Sequence, residues 1–200
     1  MKTEQEAFWS GEFGDDYTER NKNSFLPSRL AIFAKALART TGIASAFEVG
    51  CNVGENLDAL RLLFPAIKTA GIEINAMAAK QAEKKGHAVV CASVLDPPRA
   101  DPAELVFTNG LLIHIDPSAL ETTYRFLFEH SCRYVLLIEY FNPTPVEVPY
   151  RGHAGKLFKR DFAGDMLDRF PLRLVDYGFT WRRDLVFPQD DVTWFMLERT

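Results

Sequence analysis

From about residue 27 onward the chain alternates between two hydrophobic rhythms. Leu30, Phe33, Ala34 and Leu37 recur at helical spacing and predict a helix over 27–40, which Gly42 stops. A short apolar run at 45–50 reads as a strand, and Leu57, Leu60 and Leu63 then give one face of a helix over 56–64. The alternation repeats with a strand at 68–74, a helix that Asn75 can cap and Gly86 can end, and strands at 88–92 and 104–108. Asp116-Pro117 is a cap followed by proline at the first helical position, and Leu120, Tyr124, Leu127 and Phe128 supply that helix's apolar stripe. The Val-Leu-Leu-Ile run within 134–139 predicts a strand buried on both faces, and a further helix is expected from Asp161. Strands near 172–178 and 192–198 are joined by too short a loop for a crossover helix, so they are expected to pair antiparallel. Residues 1–26 carry no such rhythm, only polar sequence punctuated by Phe8, Trp9, Phe13, Tyr17 and Phe25.

Alternating strand and helix units predict an α/β fold, a mostly parallel sheet with helices on both faces. No repeat or linker divides the 200 residues, so one domain is expected: an N-terminal flap and helix over 1–41 and a Rossmann-like core over 42–200. Such a chain buries roughly 70% of its unfolded surface. The proline-rich stretch Asn142-Pro-Thr-Pro-Val-Glu-Val-Pro149 begins a long excursion, 142–160, past the end of the fifth strand, where sheets of this kind bind ligands.

Composition narrows the function. A net charge of −4 argues against general nucleic-acid binding. No run approaches a membrane span, and the polar start Met-Lys-Thr-Glu-Gln-Glu lacks a signal-peptide core, so a cytoplasmic location is expected. Cys51, Cys91 and Cys132 are widely spaced in apolar settings and are expected to be reduced packing residues, with no disulfide and no metal site.

The chemistry concentrates at 46–54, Ala-Phe-Glu-Val-Gly-Cys-Asn-Val-Gly. A strand ends in an acid and a tight glycine turn, and a helix follows, which presents backbone N–H groups to a nucleotide-like cofactor. The dinucleotide pattern Gly-x-Gly-x-x-Gly is broken by Asn52 and Glu55. Glu48 and Glu55 would repel a pyrophosphate, whereas a cofactor with a cationic centre suits them; S-adenosylmethionine is such a cofactor and NAD is not. Glu73, about 20 residues past the turn and followed by Ile74, is placed to accept both ribose hydroxyls.

With this turn, Glu73, Thr108-Asn-Gly-Leu-Leu-Ile-His114 and the antiparallel ending, the chain resembles class I S-adenosylmethionine-dependent methyltransferases. More narrowly, it is similar to the small methylases associated with pseudaminic acid biosynthesis in bacterial surface-glycan clusters. That likeness is carried by Phe8-Trp9, Phe13-Gly14-Asp15, Tyr17, Arg20-Asn21, Glu139-Tyr140, Asn142–His153, Leu157–Phe162, Phe187-Pro-Gln-Asp-Asp191 and Thr193-Trp194. The resemblance implies a seven-stranded sheet in the order 3-2-1-4-5-7-6 with the last strand antiparallel, and methyl transfer yielding S-adenosylhomocysteine. It implies that Gly50, Asn52 and Gly54 line the methionine part, with Glu48 near its ammonium. Ser93 and Val94 would hold adenine, Asn109 and Leu111 would back the sulfonium, and Tyr17 and Arg20 would belong to a flap over the cofactor.

Methyl transfer is an in-line displacement, and an oxygen or nitrogen acceptor can call on a general base. His87 and His130 sit where structural roles are expected. His153 and His114, with Glu139 and Tyr140 as alternatives, follow strands on the ligand edge. Arg151, Lys156, Lys159 and Arg160 form an acid-free basic run within 151–160 that suggests a small anionic acceptor, such as a sugar or sugar nucleotide. A nucleic-acid amide methylase is disfavoured because Asn/Asp-Pro-Pro-Tyr/Phe is missing after the fourth strand. The competing reading is a non-catalytic or differently loaded nucleotide-cofactor module on the same fold.

Overall fold

The computed structural model describes residues 3–20 and 26–200. Asn21 and Phe25, picked out in the sequence, lie outside the described residues, as do Met1 and Lys2. The strands β1 Ser45–Val49, β2 Lys68–Glu73, β3 Ala88–Cys91, β4 Ala103–Asn109, β5 Ser131–Glu139, β8 Leu172–Phe179 and β9 Thr193–Arg199 form one sheet. Its order is β3-β2-β1-β4-β5-β9-β8, which is the expected 3-2-1-4-5-7-6 once the separate ribbon β6 Val146–Glu147 and β7 Phe158–Lys159 is set aside. β1 to β5 pair in parallel, and β9 runs antiparallel to both β5 and β8.

Helices α3 Leu26–Ala36, α4 Glu55–Leu63 and α5 Ala76–Lys84 cover one face, with Phe33, Leu57 and Leu60 packed on Leu105, Phe107 and Met196. On the other face α6 Leu120–His130 and α7 Phe162–Arg169 set Tyr124, Leu127 and Met166 against Phe47, Val135 and Leu137. The cap residues read in the sequence are in place. Asn75 accepts from the Ala78 amide at 2.9 Å, Asp116 from Ser118 at 2.8 Å and Asp161 from Gly164 at 2.8 Å. Pro117 opens a 3-10 turn, Pro117–Ala119, that leads into α6.

Three features depart from expectation. Residues 4–20 form two helices, α1 Glu4–Ser10 and α2 Glu12–Arg20, the first closed by a Thr3–Glu6 capping box. Gly14 lets α2 lie close to both α1 and the start of α5: a Cβ there would sit 1.9 Å from the Trp9 carbonyl oxygen and 2.9 Å from Asn75 Nδ2, which donates to Asp15 at 2.7 Å. The 142–160 excursion is a short ribbon instead of an open loop. Only Cys51 is a buried packing cysteine; Cys91 and Cys132 are exposed, because Cys91 ends an edge strand and the outer end of β5 turns Cys132 to the surface.

Candidate functional site

The parallel register brings Val49, Glu73, Cys91, Asn109 and Glu139 to one edge of the sheet. A cavity of about 600 Å³ opens there, floored by the strand ends and roofed by α1 and α2. The β1–α4 turn is its base. Gly50 (φ 77°) and Asn52 (φ 46°) are left-handed, a conformation asparagine tolerates among non-glycine residues, so Asn52 can stand where another family uses glycine. A Cβ on Gly50 would meet Leu111 Cδ1 at 2.8 Å.

Two buried carboxylates flank the turn. Glu73 accepts from the Asn52 amide and the Asn75 amide, each at 2.8 Å, and burial raises its pKa. Glu48 is 1% exposed; one oxygen takes the Asn56 amide at 2.5 Å and the other, Oε2, has no partner. Its pKa is pushed up to about 8, first by burial and then by Glu73 and Glu55, against the pull of Asn56 and Arg29. Asn52 Oδ1, Trp9 Nε1 and Gln189 Oε1, also in the cavity wall, are likewise buried without partners. Buried polar groups of this kind normally have partners, so this wall is built for a polar ligand. An ammonium beside Glu48 and ribose hydroxyls beside Glu73 fit that donor and acceptor set.

The structure brings Tyr17, Glu48, Gly50, Asn52, Glu73, Ile74, Ser93, Val94, Asn109 and Leu111 into the cavity wall. It does not bring Gly54 or Arg20 there. Gly54 (φ 77°) caps α4, and a Cβ would strike His87 at 2.8 Å, so its role is packing and turn geometry. Arg20 lies outward, over the Phe13 ring at 5.5 Å and near Asp16.

Among the candidate bases, His114 and Tyr140 line the cavity, while His153 and Glu139 do not. His114 Nδ1 lies 2.6 Å from the Lys156 carbonyl oxygen. A carbonyl only accepts, so Nδ1 carries the proton and Nε2 keeps its lone pair. Burial pulls this histidine's pKa down to about 4, partly offset by that hydrogen bond. His153 is exposed and packs on Phe8 at 5.1 Å and Phe13 at 5.7 Å. Glu139 is locked as a structural acceptor for the amides of Leu111 (3.0 Å), Leu112 (3.1 Å) and Ile113 (3.4 Å). The Tyr140 hydroxyl is hydrogen-bonded to Asp190, and burial with that carboxylate pushes its pKa up. His87 and His130 are buried structural residues, the first held by Thr69 (2.8 Å) and Asp58 (3.0 Å), the second against Phe47 (4.5 Å).

None of the four residues of the basic run lies in the cavity wall. Lys156 is buried against Glu4 at 2.5 Å, Arg160 pairs with Asp165 at 3.0 Å, Lys159 lies over Tyr140 at 4.9 Å and Arg151 over Tyr150 at 5.8 Å. Of residues 142–160 only Tyr150 enters the wall; the rest of the ribbon supports α1, through Lys156 and a Gln5–Gly155 hydrogen bond of 3.1 Å.

Residues that sequence reasoning passed over complete the wall. Arg29 donates to Glu55 at 2.8 Å and to Asn56, whose amide in turn reaches Glu48. Arg182, Gln189 and Asp190 come from the β8–β9 loop. Only Asp190 and Gln189 had a sequence signal, within the Phe187–Asp191 likeness.

No family model matches the sequence, and no curated protein matches it. Solved structures do match in fold. A magnesium protoporphyrin IX methyltransferase from Synechocystis, with S-adenosylhomocysteine bound, superposes with a TM-score of 0.71 at 13% identity, covering 96% of this chain and 96% of that one. The fold is that of class I methyltransferases. A sugar N-methyltransferase from Streptoalloteichus (TM-score 0.67, 17% identity, 94% and 93% covered) shares it. So does an amino pentose methyltransferase from Micromonospora echinaspora (0.67, 10%, 95% and 98%). Among the described residues, no three His, Cys, Asp or Glu side chains are grouped to hold a metal, and no helix is long and apolar enough to cross a membrane.

Proposed function

We propose that this chain is an S-adenosylmethionine-dependent methyltransferase acting on a small sugar-type acceptor. The observation that carries the reading is the pair of buried carboxylates around the Gly50 turn, one with an unpartnered oxygen and both in the wall of the same cavity. Bound there, the cofactor would supply an electrophilic methyl group on a sulfonium. Glu48 would meet its ammonium, Glu73 its ribose hydroxyls, and Ser93 with Val94 would border its adenine. Asn109 and Leu111 would back the sulfur. Tyr17 and the roof helices would exclude water from the site and help to align acceptor and methyl.

The sugar-type acceptor is supported by the sugar and amino pentose methyltransferases among the fold relatives. The sequence likeness to pseudaminic-acid-associated methylases adds the narrower reading, bacterial surface-glycan assembly. Thermal-shift titration tests the cofactor. S-adenosylmethionine and S-adenosylhomocysteine should each raise the melting temperature and NAD should not. Stabilisation by NAD alone would reject the reading in favour of a different nucleotide-binding module.

A further inference from the structure

The acceptor side of the cavity is walled by Tyr17, Tyr140, Tyr150, Trp9, His114 and Asp190. Its rings are in mutual contact: Trp9 lies 5.3 Å from Tyr17, 6.2 Å from Tyr150 and 4.5 Å from His114. Asp190 is fixed through its backbone, whose carbonyl accepts from Thr180 Oγ1 at 2.7 Å and from the Val192 amide at 2.8 Å. Its carboxylate holds the Tyr140 hydroxyl and, with Tyr150, raises the Tyr17 pKa to about 12 behind the larger effect of burial and against the pull of Arg29 and Arg151.

The charge of the wall is one-sided. Six carboxyl groups, Glu6, Glu48, Glu55, Glu73, Asp116 and Asp190, face two guanidiniums, so acids outnumber bases even with Glu48 protonated. Both guanidiniums are already engaged, Arg29 by Glu55 at 2.8 Å and Arg182 by Asp191 at 3.4 Å. An anionic acceptor would meet repulsion here, and a cationic one attraction. Aromatic faces around a carboxylate also favour a cation.

We propose that the methylated atom is an amino nitrogen, seated between Asp190 and the Tyr17–Tyr140–Tyr150 wall, with His114 Nε2 accepting a hydrogen bond from it. This rests on the methyltransferase reading above and adds the acceptor's chemistry to it. The protein's groups fit the requirement. A sugar hydroxyl needs its proton removed by a base matched to the working pH, but the one imidazole in the wall is held at about 4 and Glu139 is consumed by backbone amides. An amine drawn in as its ammonium form need only release one proton to water, without a protein base, to expose its own lone pair. That pair forms the N–C bond as the methyl carbon leaves sulfur; the electrons of the C–S bond remain on sulfur, which becomes a neutral thioether. Positive charge moves onto nitrogen, where Asp190 and the tyrosine oxygens stabilise it, and the new ammonium then gives one proton to water.

Saturation-transfer NMR with glucosamine, glucose and glucuronate as probes, in the presence of saturating S-adenosylhomocysteine, tests this. Glucosamine should bind, glucose more weakly and glucuronate not at all. Asp190→Asn should weaken glucosamine binding about tenfold, the loss of one charge-assisted hydrogen bond, while leaving S-adenosylhomocysteine affinity as it was. Arg182→Ala, removing a rim cation, should not weaken glucosamine binding. Glucuronate or glucose binding as well as glucosamine, no binding of any of the three to the cofactor-loaded protein, or wild-type glucosamine affinity in Asp190→Asn would overturn the proposal. Failure of S-adenosylhomocysteine to bind at all would instead reject the methyltransferase reading beneath it.

Discussion

Glu48 should make cofactor binding a proton-releasing event. The carboxyl is 1% exposed with one oxygen unpartnered, and its pKa stands at about 8 against an ordinary 4.5. That rise corresponds to about 5 kcal/mol set against the ionised form, so at pH 7 roughly one molecule in ten carries the charge. Because the folded pKa lies above the unfolded one, the empty protein is favoured below 4.5 and loses this contribution as pH climbs through 8. An ammonium beside Oε2 reverses the balance by favouring the carboxylate. Binding at pH 7 should therefore expel close to one proton, and the dissociation constant for S-adenosylhomocysteine should fall about tenfold between pH 6 and 7 and level off past 8. Calorimetry at pH 7 in phosphate and in Tris reads the proton directly, as a difference in apparent enthalpy between buffers. Glu48→Gln keeps the shape and the Asn56 contact but cannot titrate, so both the buffer effect and the pH slope should vanish. A wild-type enthalpy independent of buffer, with affinity flat from pH 6 to 8, would refute the reasoning.

Other expectations follow from the same wall. Glu73→Ala should weaken cofactor binding by about 2–3 kcal/mol in calorimetry, and it should also lower the melting temperature, because the Asn52 and Asn75 amides lose their acceptor. Gly50→Val should abolish binding through the clash with Leu111, whereas Gly54→Val should act mainly on stability through His87; titration and melting of both variants separate the two. His114 has a folded pKa below its unfolded 6.5, so its contribution is intact above 6.5 and lost as pH falls towards 4, about 3 kcal/mol in all; acid unfolding of His114→Gln should be correspondingly less steep. Arg151→Ala should leave steady-state kinetics unchanged, since that side chain lies on the ribbon's outer turn.

The core of the sheet and its glycine turn were legible because the signals are local. Asn75, Asp116 and Asp161 announce helix starts through their own side chains, and the short Val-Leu-Leu-Ile run suits a strand buried on both faces. The roof was not, although Thr3-Glu-Gln-Glu6 carried a capping-box signal. Helices of 7 and 9 residues are marginal alone, and these two are held by Gly14, Asn75 and Lys156, contacts that exist only after folding. The basic run is only half readable for the same reason. Sequence shows that 151–160 lacks acids, but Glu4 and Asp165, which pair with Lys156 and Arg160, arrive from elsewhere in the chain. Arg29 joins the cavity through bonds to Glu55 and Asn56, and Asp190 through its bond to Tyr140, contacts that exist only after folding.

A roof made of the chain's own first helices would couple ligand exchange to their movement. Thr3, Gln5, Glu6, Trp9, Gly14, Tyr17 and Thr18 all belong to the cavity wall, so a ligand seated beneath them lies under α1 and α2. Lifting α1 would break the tilted ring contact of Trp9 with His114 and strip Lys156 of Glu4, which ties the exit path to the one histidine at the acceptor. Opening of α1 and α2 would then be a step of each turnover. The indole of Trp9 sits at that hinge of events, and its fluorescence would time each opening.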